Sequence, residues 1–355
     1  MHMRYLFFLL ISALFWHLTN SSVTTDNTKL NQDSVTLKQA APFPLGVSVD
    51  ARLLTSNKQY RSTVNREFNS ITSENALKMN RLLVAPNQYD WSGGDSIVDF
   101  ARTTGKRMHG HTLVWHRSVP KWVEAFQGDS IAWENLLKSH IQTVIGHYKG
   151  QVKSWDVANE VIDDDGSLRK SIWSAHLGPD YVARCYQYAH EADPNALLFY
   201  NDYGQEINLK KALAIKAMLM NLKKRKIPIH GVGLQSHISI YHSDSQYRRG
   251  LAVMTSVGLL VHISELDIRL NTKKIKNLAI TEDMLEDQEQ KYESIVEIYK
   301  DVVPKKQRYG ITIWNLSDKD SYQLKDCQCP DAPMPFDTTY KKKLAYKGLL
   351  DGLRQ

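Results

Sequence analysis

The chain has 355 residues, 42% of them hydrophobic and 23% charged, with a formal net charge of +7. That balance excludes a disordered chain, and the length suits two average domains or one large α/β barrel. The basic runs at 223–226, 305–306 and 341–343 are scattered and lack interleaved aromatics, so a solvated exterior is expected and no nucleic-acid partner.

Residues 1–20 read as an export signal: His2 and Arg4 precede an almost wholly apolar run at 5–16. That run falls short of the roughly 20 residues a membrane span needs, so a cleaved leader is expected and no span in the mature chain. A polar linker is expected at 21–40, then a single domain at 41–355. The product would be secreted, extracellular or periplasmic, and monomeric. Cys185, Cys327 and Cys329 are an awkward number for disulfides and too few for a closed zinc site, so incidental thiols are expected, with pairing left open.

From residue 45 onward, short β-like runs alternate with longer amphipathic stretches. The β-like runs lie at 45–50, 70–75, 107–115, 152–160, 197–203, 232–237, 260–268 and 311–316. Helical patterns between them include 95–104, 131–148, 179–192, 208–224 and 285–301, with Gly105 and Gly150 as stops. Continuous apolar strands alternating with helices imply a parallel sheet covered on its outer face. An open doubly wound sheet would carry a glycine-rich turn after its first strand, but Val49-Asp-Ala-Arg52 follows instead. The expected fold is therefore α/β, a (β/α)₈ TIM barrel in one domain.

The C-terminal ends of these runs are where such a barrel builds its site, and they are loaded with polar groups. They offer Glu74 and Asn75 with Lys78 beyond; His109, His111, Trp115 and His116; Asn159 and Glu160; and Asn201-Asp-Tyr203. Gln235-Ser-His237, then Glu265 with Asp267, and finally Trp314 complete the rim. Carboxylates at the ends of buried strands are costly unless they do chemistry. A facing pair is the minimal apparatus for cleaving a glycosidic bond, which makes Glu160 and Glu265 the catalytic candidates. A metal on His109, His111 and His116 is unnecessary beside such a pair. Asp163-Asp-Asp-Gly166 lacks the spacing of a calcium loop, so no metal or cofactor is expected.

Several of these segments, in order and over about residues 45–350, resemble glycoside hydrolase family 10 endo-β-1,4-xylanases. They are Gly110-His-Thr-Leu-Val-Trp-His116, Trp155-Asp-Val-Ala-Asn-Glu160, Asn201-Asp-Tyr203, Gln235-Ser-His237 and Ser264-Glu-Leu-Asp-Ile268. The resemblance implies xylan or xylo-oligosaccharide as substrate and a retaining double displacement. Glu160 would be the acid/base and Glu265 the nucleophile, their surroundings favouring opposite protonation states. His237 and Asp267 would orient the nucleophile, and Asn159 would meet the 2-hydroxyl of the sugar being cleaved. Glu74, Asn75, Lys78, His111 and Gln235 would bind hydroxyls, while Trp115 and Trp314 wall the site.

Four departures from the family pattern stand out: Tyr322 where a Trp usually covers the site, Met79 for Trp, Ala85 for Glu, and Asn315 for Gly. They are expected to act at the rim, on affinity or tolerance of side chains. Two other readings stay open: another retaining β-glycanase or transglycosylase on the same barrel, and a non-catalytic glycan-binding barrel.

Overall fold

The computed structural model describes residues 35–355, without the side chains of residues 325–327. The expected leader and most of the expected linker lie outside the described residues. The end of that linker is structured: Leu37–Ala40 forms one helical turn, fully buries Leu37, and donates the Leu37 N–H to Glu67 at 3.1 Å.

All eight expected β-runs are strands. They are β1 (Leu45–Val49), β2 (Ser70–Ser73), β3 (Arg107–Gly110), β4 (Ser154–Asn159), β5 (Leu197–Asp202), β6 (Gly231–Leu234), β7 (Leu260–Arg269) and β8 (Arg308–Ile313). Each pairs in parallel with the next, and β8 returns to β1 through Leu45 opposite Ile311, which closes the barrel. Two strands resume beyond a break, β3 as Val114–Trp115 against β4 and β6 as His237–Ser239 against β7. Residues along β1, β2 and β4 are buried at every position, because helices cover one face and the barrel interior the other.

The covering helices are α1 (Lys58–Glu67), α2 (Ser92–Thr103), α3 (Ser130–His147), α4 (Tyr181–Ala192), α5 (Leu209–Lys224), α6 (Asp244–Thr255), α7 (Glu282–Val302) and α8 (Leu344–Arg354). Local chemistry starts several of them. Asp129, Asn208, Ser243 and Thr281 each accept a first-turn backbone N–H, satisfying donors that no helical carbonyl can reach. Gly105 and Gly150, at φ +66° and +76°, turn the chain back where a side chain would be strained.

The expectation of three incidental thiols needs correcting at one position. Cys185 is free and buried in α4, but Cys329 is disulfide-bonded. Among the described residues no helix is long and apolar enough to cross a membrane.

One buried ion pair ties the helical layer to the site end of the barrel. Lys211 of α5 sits 3.0 Å from Asp202 at the end of β5, both side chains fully buried, and its Nζ lies 3.7 Å from the Tyr203 ring centroid. Burial pushes the Asp202 carboxyl up to about 6 against the opposing pull of Lys211. Removing one partner strands the other's charge in a dry interior. Lys211→Met is therefore expected to cost about 3–5 kcal/mol at pH 7, with a smaller deficit near pH 5, where Asp202 can take up a proton instead. Urea unfolding at the two pH values checks this; an equal loss at both would contradict the ion-pair account.

Candidate active site

The C-terminal ends of the strands surround a cleft of about 430 Å³. It brings together twelve of the thirteen expected site residues: Glu74, Asn75, Lys78, His111, Trp115, Asn159, Glu160, Gln235, His237, Glu265, Trp314 and Tyr322. Asp267 stands one layer behind and is fully buried.

Both candidate catalytic strands carry a bulge at or just before their glutamate. On β4, Asp156 faces Phe199 while Ala158 faces Tyr200, so one extra residue is inserted ahead of Asn159 and Glu160. On β7, Ile263 faces Ile311 while Leu266 faces Ile313, again one residue too many beside Glu265. A bulge bends its strand and re-aims the side chains around it. Glu160 itself has φ +56°, an uncommon conformation for a side-chain-bearing residue. Arg169 helps secure it by donating Nε–H to the Glu160 carbonyl at 2.8 Å.

The two carboxylates are 5–7% exposed and sit in different hydrogen-bond settings. Glu265 accepts from Asn201 Nδ2 at 2.8 Å and lies 3.3 Å from His237 Nε2, with His111 Nδ1 at 3.9 Å. Burial alone would raise its pKa, but nearby His111 and the His237 and Asn201 donors outweigh that and hold it below the usual glutamate value. His237 in turn holds Asp267 at 2.7 Å through Nδ1. Burial works against its cation, yet Asp267 and Glu265 together carry His237 up to about 10. Imidazolium is therefore its form at neutral pH, one positive charge between two carboxylates.

Glu160 instead accepts from two neutral donors, Trp115 Nε1 at 2.8 Å and Gln235 Nε2 at 3.1 Å. A chain of amides links the pair: Asn159 Oδ1 accepts from Gln235 Nε2 at 3.4 Å and from Asn201 Nδ2 at 2.9 Å. Because Asn159 accepts through its oxygen, its NH₂ is the group left to meet a ligand in the cleft. Lys78 Nζ bonds Asn75 at 3.1 Å and lies 4.9 Å from the centre of the Trp115 ring. Trp314 packs edge-on against His111, with centroids 5.2 Å apart.

Several further groups take part for which no role was expected. Asn201 is the hub of the network. Its Oδ1 accepts from Ser264 at 2.6 Å, which fixes the amide so that its NH₂ serves both Asn159 and Glu265. Gly233 makes room for it, since a Cβ there would lie 2.3 Å from Asn201 Oδ1. Asn201 was visible as a strand-end amide, but nothing in the sequence says which groups it reaches. Asp156 is buried below the cleft and takes both His109 (3.1 Å) and His111 (2.9 Å), which hold its carboxyl well below the usual range despite burial. Arg117, Tyr203 and Glu206 also line the cleft, and burial pushes Glu206 up to about 7.

His109 lies under the site rather than in it, hydrogen-bonded to Ser154 at 2.6 Å and edge-on to His262. Among the described residues no group of three or more His, Cys, Asp or Glu side chains is placed to hold a metal ion. Asp163-Asp-Asp-Gly166 is a turn, with Gly166 at φ +83° and Asp163 paired to Arg169 at 2.6 Å. The departures divide differently from expectation. Met79 is 2% exposed and does not line the cleft, and Ala85 belongs to a small hairpin away from it, so neither is a rim change.

Residues 34–352 match the model of glycosyl hydrolase family 10. The chain belongs to that family. It is 33% identical over 324 residues to endo-1,4-beta-xylanase B of Paenibacillus barcinonensis, covering 87% of this chain and 95% of that protein. The crystal structure of native xylanase 10B from Thermotoga maritima superposes with a TM-score of 0.84 at 31% identity, covering 90% of this chain and 98% of that one. Xylanase 10B from Thermotoga petrophila, solved in complex with xylobiose, is similar at the same TM-score of 0.84 and 30% identity, covering 90% of this chain and 97% of that one. Other relatives are longer: the chain spans 28% of exoglucanase XynX from Acetivibrio thermocellus and 51% of endo-1,4-beta-xylanase A from Caldicellulosiruptor.

Proposed function

We propose that this family 10 protein is an endo-1,4-β-xylanase that cleaves internal linkages of xylan by a retaining double displacement. The observation that carries the mechanism is the unequal treatment of two buried carboxyls on one cleft. Glu265 is held anionic by a cationic imidazole and an amide donor, which suits a nucleophile. Glu160 accepts from two neutral donors, which suits a proton carrier.

In the first step Glu265 Oε attacks the anomeric carbon as Glu160 gives its proton to the departing glycosidic oxygen. A glycosyl ester on Glu265 and a shortened chain result. In the second step Glu160, now a carboxylate, removes a proton from water, whose oxygen displaces Glu265 and restores the original anomeric configuration. Asn159, donating through its amide NH₂, would bond the 2-hydroxyl beside the reacting carbon, an interaction that strengthens as charge develops there. The imidazolium of His237 is returned to a fully anionic partner when the ester breaks, which favours completion of the cycle.

The substrate reading is supported by relatives named as xylanases and by the xylobiose complex of a similar protein. A relative named as an exoglucanase, together with Tyr322 at the rim, keeps a glucan-cleaving variant as the second reading. The apolar run at 5–16 supports action outside the cytoplasm. Reducing ends released from xylan, carboxymethyl cellulose and mannan separate these readings. Xylan is expected to exceed the others by at least about tenfold, the scale that a single well-discriminated contact provides. Equal or greater release from cellulose would overturn the xylanase reading.

A further inference from the structure

Two of the departures from the family pattern, Asn315 and Tyr322, touch each other. Asn315 follows Trp314 just past β8, is 2% exposed, and has φ +82°. Glycine takes that conformation freely, and asparagine is among the few other residues that tolerate it. The side chain kept there has a use. Asn315 Oδ1 accepts the backbone N–H of Tyr322 at 3.1 Å, while the Asn315 N–H donates to Ser48 Oγ of β1 at 2.7 Å.

Tyr322 opens the short helix Tyr322–Cys327, and the capping residue before it, Ser321, makes no side-chain cap. The Ser321 hydroxyl is buried without a hydrogen-bond partner. Asn315 therefore does from across the loop what Ser321 does not do locally: it satisfies an orphan amide of the first turn. The result is registered in the cleft. The Tyr322 ring stands edge-on to His237, centroids 5.5 Å apart, and lines the same cavity as Glu160 and Glu265. The Tyr322 hydroxyl accepts from Gln323 Nε2 at 2.5 Å, a second restraint on the ring.

We propose that Asn315 is a positioning residue that latches Tyr322 as a fixed wall of the substrate cleft. A glycine at 315 has no side-chain acceptor and cannot make this latch. The pairing of Asn315 with Tyr322 thus adds a tie from this rim segment to the end of β8. The consequence falls on ground-state binding of the glycan, because the ring lines the cleft as a wall and takes no part in the proposed proton and bond transfers.

The inference rests on the glycan-cleaving reading of this cleft, and its first readout does not need substrate. In Asn315→Gly, hydrogen exchange at the Tyr322 amide is expected to speed up about tenfold, the scale of one lost hydrogen bond. The second readout is kinetic: KM for xylo-oligosaccharides rises about fivefold with kcat within about twofold. Asn315→Asp, which keeps the acceptor, is expected to restore both. Unchanged exchange at Tyr322 in Asn315→Gly would overturn the latch. Faster exchange with an unchanged KM, or an Asn315→Asp variant that behaves like Asn315→Gly, would overturn its role in binding. A wild-type chain inactive on every β-glycan would instead overturn the functional reading while leaving the exchange result to stand.

Discussion

Replacing Glu265 by alanine is expected to lower turnover of an aryl xylobioside by on the order of 10⁵-fold, since Glu265 is the carboxyl that the proposed mechanism esterifies. Three observations set the size of this effect. Glu265 is buried, it is held anionic by His237 and Asn201, and its strand is bulged at that position. The shortened side chain leaves space on the nucleophile's side of the sugar. Added azide should occupy it and restore part of the rate, giving a glycosyl azide of inverted configuration after a single displacement. Folding is checked by an unchanged thermal midpoint. A Glu265→Ala variant within tenfold of the parent rate, without azide, would exclude Glu265 as nucleophile.

For Glu160→Ala the loss should depend on the leaving group. Xylan, whose departing sugar hydroxyl is a poor leaving group, needs the proton, and its cleavage is expected to fall about 10³- to 10⁴-fold, the upper range for general acid catalysis. An activated dinitrophenyl glycoside needs no proton to leave, so its first step should be nearly unaffected and the intermediate should accumulate as a burst. Azide, which needs no general base, should then speed breakdown and give the retained anomer. The two variants therefore yield azides of opposite configuration, which separates the two roles more sharply than rates do. Equal losses on both substrates would show that Glu160 does not act as the proton donor. Trp115 and Gln235, its two donors, would then need another account.

Much of this was legible in the chain because barrel strands advertise themselves. Buried on both faces, they read as apolar runs, and the polar residue at each C-terminal end marks where burial stops. That is why Glu74, Asn159, Glu160, Gln235 and Glu265 could be named before any contact was seen. The expected helix at 208–224 likewise appears as Leu209–Lys224, with Asn208 as its cap. The short pattern of a buried polar residue within a strand is harder to read. Asp156 lies inside an apolar run, and only the neighbouring strand shows that it serves His109 and His111. Met79 was misread as a rim change for a related reason: its direction depends on a four-residue helix, Met79–Leu82, too short to show a period.

Taken alone, the sequence determined the eightfold alternation and the end of the barrel loaded with polar groups, and it singled out the two candidate carboxyls. Each of these follows from periodicity and from the cost of burying charge, which are local properties of residue order. Tertiary structure alone decided how the carboxyls differ. Their hydrogen-bond settings come from donors on other strands, namely Asn201 on β5 and His237 after β6 for Glu265, and Trp115 beside β4 for Glu160. It also decided the bulges next to both glutamates, the buried pair of Lys211 with Asp202, and the hydrogen bond from Tyr322 to Asn315. Interactions of this kind depend on which residues closure of the barrel sets side by side, and no spacing along the chain encodes a distance across it.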